Sequence, residues 1–268
     1  MAGDRDKTYA ALTTLYEPGN ALAEAPTALG EFFDSARIAE LAKAYMTQQT
    51  DVTADGKAVV VSAGPPGAGK TEALATFQLQ GYRRIDPDIA KDLLLAEADH
   101  AALLDYRYAY TLPDGRALNL RELAPHIHQY STQVTDVVRA LALNAGENVV
   151  IDGTLSWKPL VENYIDELNR AGYEDLDVVD VEAPLEVALA RVKQRWWTGR
   201  NNNPLGGRFL SEHHIRVLYD NPAESKCASN AVLLAELARE ELGRGSHRRF
   251  DVAEPTNKPQ LTSETTFP

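Results

Sequence analysis

The chain has 268 residues, of which 44% are hydrophobic and 25% charged, the composition of an ordinary globular protein with room for a sizeable core. Its 27 Lys and Arg against 39 Asp and Glu leave a formal net charge of −12, which counts against binding nucleic acid, since phosphate contacts need clustered cations. No apolar run long enough for a membrane span and no signal-peptide pattern is evident, and the lone Cys227 excludes an intrachain disulfide, so a cytoplasmic setting is expected.

Taken in chain order, residues 1–50 read as helical. Ala36, Ile38, Ala39, Leu41, Ala42 and Tyr45 form an apolar stripe, while Pro18, Gly19 and Pro26 break the region into pieces. The β-branched run 58–63 reads as a parallel strand covered on both faces. A helix over 69–80, a short strand over 82–86 and a helix over 89–102 follow. The aromatic stretch 106–119 has Pro-Asp-Gly at its centre and suggests a loop or hairpin. Residues 120–143 read as helix broken at Pro125, 148–151 as a strand, 159–171 as a helix, 176–181 as a strand and 184–197 as a helix. The segment 201–207, NNNPLGG, suggests a mobile loop, with helices near 211–219 and 229–242. Beyond Gly243 the chain is polar, with an Arg-rich surface patch and a poorly ordered last ten residues expected. Strands alternating with helices predict an α/β fold with a parallel sheet flanked by helices.

Four features carry chemistry. The first is Gly64-Pro65-Pro66-Gly67-Ala68-Gly69-Lys70-Thr71, which fits G-x-x-x-x-G-K-[ST] between a strand and a helix. Its small residues let backbone N–H groups wrap a β-phosphate. Lys70 reaches the β- and γ-phosphates of ATP, and the Thr71 hydroxyl can ligate Mg²⁺. The second is Asp86-Pro87-Asp88 at the end of the second strand, where a carboxylate can take the proton of an attacking hydroxyl. Asp88 is the candidate base, and the alternative for either Asp is a helix N-cap. The third is Asp152-Gly153-Thr154 after an apolar strand. Asp152 can hold Mg²⁺ through water or bond the acceptor, Thr154 offers a hydroxyl, and an ordinary turn is the alternative. The fourth is a basic cluster, Arg191, Lys193, Arg195, Arg200 and Arg208, suited to neutralising a transferring phosphoryl group from a closing lid. A solvated helix face is its alternative reading, and Trp196 and Trp197 are expected to pack rather than stack on a base.

GPPGAGKT at 64–71, IDPD at 85–88, NVVIDGTLSWK at 148–158 and the pair Arg195 and Arg208 together resemble the zeta toxin family, P-loop kinases of bacterial toxin–antitoxin systems. The resemblance implies a phosphotransferase-like parallel sheet with flanking helices; the chain itself reads as a helical N-terminal extension over 1–57 packed on a kinase domain over 58–245 and a polar tail over 246–268, and the long N-terminal region and the aromatic insert at 106–119 depart from the family pattern. It implies ATP and Mg²⁺ as cofactors and phosphorylation of a sugar hydroxyl on UDP-N-acetylglucosamine. It assigns the base to Asp88, the lid arginines to Arg195 and Arg208, metal to Thr71 and Asp152, and acceptor contacts to Asp88, Asp152, Thr154 and Lys158. A small antitoxin protein is the implied partner. The sequence departs from the family pattern on the acceptor side: Asp152 stands where Glu is usual, and Ser156 where an arginine is usual, with Lys158 nearby. Some relatives of this kind phosphorylate nicotinamide dinucleotides instead. A polynucleotide-type kinase and an ATPase regulator without a small acceptor are the rival readings of the same loop.

Overall fold

A computed structural model describes residues 2–268. Three helices open the chain: α1 (Ala2–Leu15), α2 (Thr27–Phe32) and α3 (Ser35–Thr47). Then come β1 (Ala58–Ala63), α4 (Lys70–Leu74), β2 (Arg83–Ile85) and α5 (Pro87–His100). Two 3₁₀ segments, Asp105–Ala109 and Leu120–Ile127, precede α6 (His128–Asn144). They are followed by β3 (Val149–Asp152), α7 (Pro159–Ala171), β4 (Asp175–Glu182), α8 (Leu185–Asn202) and α9 (Glu212–Arg216). The short β5 (Tyr219–Asn221) and β6 (Glu224–Ser225) lead into α10 (Lys226–Glu241), β7 (Arg244–Asp251) and β8 (Gln260–Phe267). No helix among the described residues is long and apolar enough to cross a membrane.

The chain forms two compact units. A sheet unit holds Met46–Asp86, Asp136–Val192 and Glu212–Pro268; a helical unit holds the residues up to Tyr45, Pro87–Thr135 and Lys193–Ser211.

In the sheet unit the strand order is β2-β3-β1-β4-β7-β8, parallel except for the antiparallel β8. The continuous apolar runs of β1 and β3 suit strands buried on both faces. One face carries Val60, Val150, Val179, Val181 and Phe250 in a buried cluster with Ala73 and Leu74 of α4. On the other side, α10 packs against β4, β7 and α7. The expected helix over 69–80 ends at Leu74. There Thr76 and Phe77 donate to carbonyls only three residues back, and Phe77, Leu79 and Tyr82 turn onto the same apolar cluster. The C-terminal segment is a correction. Where poorly ordered last residues were expected, β8 pairs antiparallel with β7, with Arg248 opposite Glu264 and their side chains 2.7 Å apart, while Arg244, Arg248 and Arg249 keep part of their surface exposed. The three threonines of β8, Thr262, Thr265 and Thr266, suit an extended strand.

In the helical unit the predicted stripe of α3 is buried through Ile38, Leu41, Ala42 and Tyr45. Trp196, on the last part of α8, is fully buried and meets the Tyr9 ring edge-on at 5.3 Å, with Phe209 5.4 Å from Tyr9. Asn119 caps the second 3₁₀ segment through a capping box with Glu122, and Pro125 sits inside that segment at the predicted break. Of the NNNPLGG segment, Asn201 and Asn202 still belong to α8 and residues 201–204 are exposed, while Gly206 and Gly207 are buried. A Cβ on Gly207 would lie 1.9 Å from the Trp196 carbonyl oxygen, so only glycine permits that approach.

Candidate active site

The phosphate loop is built from backbone. Gly64, Gly67 and Gly69 all have positive φ, at 143°, 88° and 101°. A Cβ on Gly64 would sit 2.2 Å from the Val181 carbonyl oxygen, so β4 itself demands glycine there. Pro65 and Pro66 have no N–H and stiffen the turn. Ala68 N–H closes that turn onto Pro65 O at 3.1 Å. The N–H groups of Gly67, Gly69 and Thr71 meet no acceptor among the described residues, the state of a loop that binds an anion. Lys70 folds over the loop, its Nζ donating to Gly64 O at 2.8 Å.

The end of β3 lies beside this loop, because Ser62 of β1 is in register with Asp152 of β3. Ser62 Oγ donates to Asp152 Oδ1 at 2.7 Å, and Arg84 of β2 pairs with Asp152 Oδ2 while lying 3.4 Å from Asp86. The Gly64 amide donates to Thr154 O at 3.0 Å, tying the phosphate loop to the loop after β3. Leu155 in that loop has φ +54°, a strained value for a non-glycine residue. It is buried, and its carbonyl accepts from Asn230 Nδ2 of α10 at 2.7 Å. The Thr154 and Ser156 hydroxyls bond each other at 3.1 Å, and Trp157 and Lys158 are exposed. Sequence reasoning missed Ser62, Arg84 and Asn230, since each acts through a partner far along the chain. Cys227 is buried, which pushes its thiol up to about 11 and keeps it unreactive.

Asp88 belongs to the helical unit, in the first turn of α5 and not at an N-cap position before it. Three cations surround its carboxylate. Arg208 Nη1 lies 3.1 Å from Oδ2, Lys91 Nζ lies 3.2 Å from Oδ1, and Arg195 acts electrostatically. Arg208 also donates to Asp88 O at 3.0 Å and to Asp92 Oδ2 at 2.8 Å. Burial works to raise the Asp88 carboxyl, but Lys91, Arg208 and Arg195 outweigh it and hold it below the usual carboxylate range.

The basic cluster read from the sequence does not act as one group. Arg200 is buried and structural: its guanidinium donates to Glu122 at 2.6 and 2.8 Å and to Asp114 at 2.7 and 2.8 Å. Glu122 also accepts from the Trp196 indole N–H at 2.9 Å. Lys193 pairs with Asp6 at 3.2 Å, and Arg191 turns to backbone carbonyls of the sheet unit. Buried carboxylates hold only Arg200, while an exposed carboxylate meets Lys193 and backbone carbonyls meet Arg191, partners that composition alone does not reveal. Arg195 and Arg208 are the members of the cluster that act on Asp88.

Three comparisons place the chain. The zeta toxin family model matches residues 42–237, well over half of the chain, which therefore belongs to the zeta toxin family. A calmodulin calcium-dependent NAD kinase of Arabidopsis thaliana is 32% identical over 108 residues, 40% of this chain and 20% of that protein, so the similarity spans only about a fifth of the relative's length. Among solved structures, the PezAT chromosomal toxin–antitoxin system of Streptococcus pneumoniae matches with a TM-score of 0.54 at 13% identity, covering 86% of this chain and 81% of that one. The AvrRxo1-ORF1:AvrRxo1-ORF2 complex with sulphate ions matches with a TM-score of 0.51 at 19% identity, covering 93% and 70%. At these identities the two structures establish a shared fold.

Proposed function

We propose that this member of the zeta toxin family is an ATP-dependent small-molecule kinase, transferring the γ-phosphate of ATP to a hydroxyl of a nucleotide metabolite. The observation that carries the reading is the phosphate loop, with its unpaired N–H groups and Lys70 curled over them. In the proposed reaction the loop amides and Lys70 hold the β- and γ-phosphates. The acceptor oxygen attacks the γ-phosphorus, its O–P bond forms as the bond to the β-phosphate oxygen breaks, ADP leaves, and Asp88 receives the hydroxyl proton. A carboxylate kept ionised by three cations is ready to accept that hydrogen bond at any physiological pH. Phosphoryl transfer of this type has a loose transition state, so orientation matters more than base strength. Arg195 and Arg208 offset the charge of the transferring group.

The residues present fit Mg²⁺. Thr71 is exposed and its hydroxyl has no partner among the described residues, whereas both Asp152 oxygens are engaged by Ser62 and Arg84. Thr71 would therefore hold the ion directly and Asp152 through water, and when bound it neutralises the β- and γ-phosphates.

For the acceptor, family membership supports UDP-N-acetylglucosamine, with Thr154 and Lys158 as contacts. The likeness to a protein described as an NAD kinase supports a nicotinamide dinucleotide as the second reading. A small antitoxin protein is the proposed partner, in keeping with a structural match described as a toxin–antitoxin system. The test incubates the protein with ATP, Mg²⁺ and a panel of nucleotide sugars, dinucleotides and 5′-hydroxyl oligonucleotides, reading phosphorylated products by mass spectrometry. A new phosphomonoester on one metabolite class supports the proposal. Labelling of oligonucleotide ends alone, or steady ATP hydrolysis indifferent to every metabolite, would overturn it.

A further inference from the structure

Arg191 lies in the part of α8 that belongs to the sheet unit. Its guanidinium serves no carboxylate among the described residues. Nη1 donates to Gly67 O at 3.1 Å and to Ala68 O at 3.3 Å, both in the phosphate loop. Nε donates to Pro255 O at 3.0 Å, and Nη2 donates to Asn257 O, both in the turn joining β7 to β8. One planar fork thus grips four backbone carbonyls, two from each segment. The two segments also touch: a Cβ on Gly69 would lie 2.7 Å from Pro259 Cγ and 3.2 Å from Arg191 Nη1. The turn goes on to wall a cavity of about 350 Å³ with Glu182, Ala183 and Asp251.

Peptide geometry gives this grip a consequence. Across a planar trans peptide the carbonyl of one residue and the N–H of the next point in opposite directions. Pulling the Ala68 carbonyl toward Arg191 therefore turns the Gly69 N–H the other way. That N–H is one of the unpaired groups offered to a phosphate. We infer that Arg191 is a positioning residue for the nucleotide site, one that fixes the phosphate loop in its binding form and locks it to the turn at 252–259. The turn between β7 and β8 thereby becomes part of the ATP site although it carries no phosphate-binding motif. This rests on the kinase reading for its ligand and goes beyond it in assigning a second segment to the site. It also separates Arg191 from Arg195: the charge of Arg191 is engaged by carbonyl dipoles and is not available to a transferring phosphoryl group.

Arg191→Lys tests this, since it keeps the charge and most of the stem but cannot span four carbonyls with one ammonium. Binding of β,γ-imido ATP with Mg²⁺ is read by calorimetry, and hydrogen exchange is followed in the loop and in the turn. The expected result is about tenfold weaker nucleotide binding, the size of losing one charged hydrogen bond. Exchange should rise together in 64–69 and 252–259, and added nucleotide should slow both segments in the wild type. In turnover, KM for ATP should rise far more than kcat falls, whereas a phosphoryl-contacting arginine would lose kcat. Arg191→Gln, which lacks the charge altogether, should match Arg191→Lys. Wild-type affinity in Arg191→Lys, or faster exchange in one segment only, would overturn the inference. If the wild type itself fails to bind the nucleotide, the kinase reading falls, while the joint exchange of the two segments still reports on the Arg191 clamp.

Discussion

The phosphate loop and the Asp88 cluster solve related electrostatic problems by different means. The loop uses backbone: three glycines at positive φ, two prolines and unpaired N–H groups, held by Arg191 through carbonyls. The cluster uses side chains: one carboxylate beside Lys91, Arg195 and Arg208, with Asp92 sharing Arg208. A backbone site depends on conformation and responds little to pH or salt. A side-chain cluster depends on ionisation, and its partly exposed pairs weaken as salt rises. Specific substitutions should therefore separate nucleotide binding from phosphoryl transfer.

The largest expected effect comes from removing the centre of each region. Lys70→Ala should lower phosphoryl transfer about a thousandfold and weaken ATP binding as well, because the proposed role of Lys70 is to hold phosphates in ground and transition states alike. Asp88→Asn should lower transfer by about 10²–10⁴ while leaving binding of β,γ-imido ATP near wild type. Single-turnover rates with γ-labelled ATP, set beside calorimetric affinities, make the distinction. Equal loss of nucleotide affinity in both variants would break the comparison.

That contrast also explains what could be read from the sequence. The loop was legible because its chemistry lies in eight consecutive residues whose types are dictated by φ and by close approach, as at Gly64 against Val181. The parallel strands were legible for a similar reason, as continuous apolar runs. Asp88 was legible from its place just after the second strand, and the family resemblance singled out Arg195 and Arg208 from the basic cluster, although Arg208 reaches Asp88 across 120 positions of chain. Arg191 and Arg200 were misread as phosphate-facing, since a cation's partner is a tertiary fact: four carbonyls for one, the buried Glu122 and Asp114 for the other. The strands β7 and β8 were missed because neither alternates apolar with polar residues: β8 is exposed along nearly its whole length, and it is the pairing with β7 that holds it.

A smaller effect sharpens the electrostatic side. With Arg208→Gln, Asp88 keeps its burial, which raises its carboxyl, and loses one of the charges that lower it. Its ionisation then needs a higher pH, so the acid limb of kcat/KM should move upward relative to wild type. Arg191→Lys should leave that limb where it is, because none of the bonds of Arg191 involve Asp88. Rate profiles from pH 3 to pH 8 for the two variants decide it, and an unmoved limb in Arg208→Gln would remove Arg208 as the guardian of the base's charge.

The sheet unit has its own pH-sensitive group, and its signature should be in stability. Glu182, at the end of β4, is 2% exposed and accepts from the Ser225 backbone N–H at 2.9 Å and from the Ser225 hydroxyl at 2.5 Å. Ser225 in turn caps α10 by accepting from Cys227 N–H. Burial pushes the Glu182 carboxyl up to about 7; the Ser225 hydrogen bonds oppose that rise, and the nearby Asp180 adds to it. A carboxyl raised in the folded state favours folding while it is protonated in both states. That contribution is complete below the unfolded value near 4.3 and disappears as pH rises through about 7. The difference between those values corresponds to at most about 4 kcal/mol. Glu182→Gln keeps an acceptor for Ser225 and cannot ionise. Its urea midpoint should match wild type near pH 4 and exceed it increasingly toward pH 8. A midpoint difference that stays flat from pH 4 to pH 8 would show that Glu182 ionises as freely in the folded protein as in the unfolded chain.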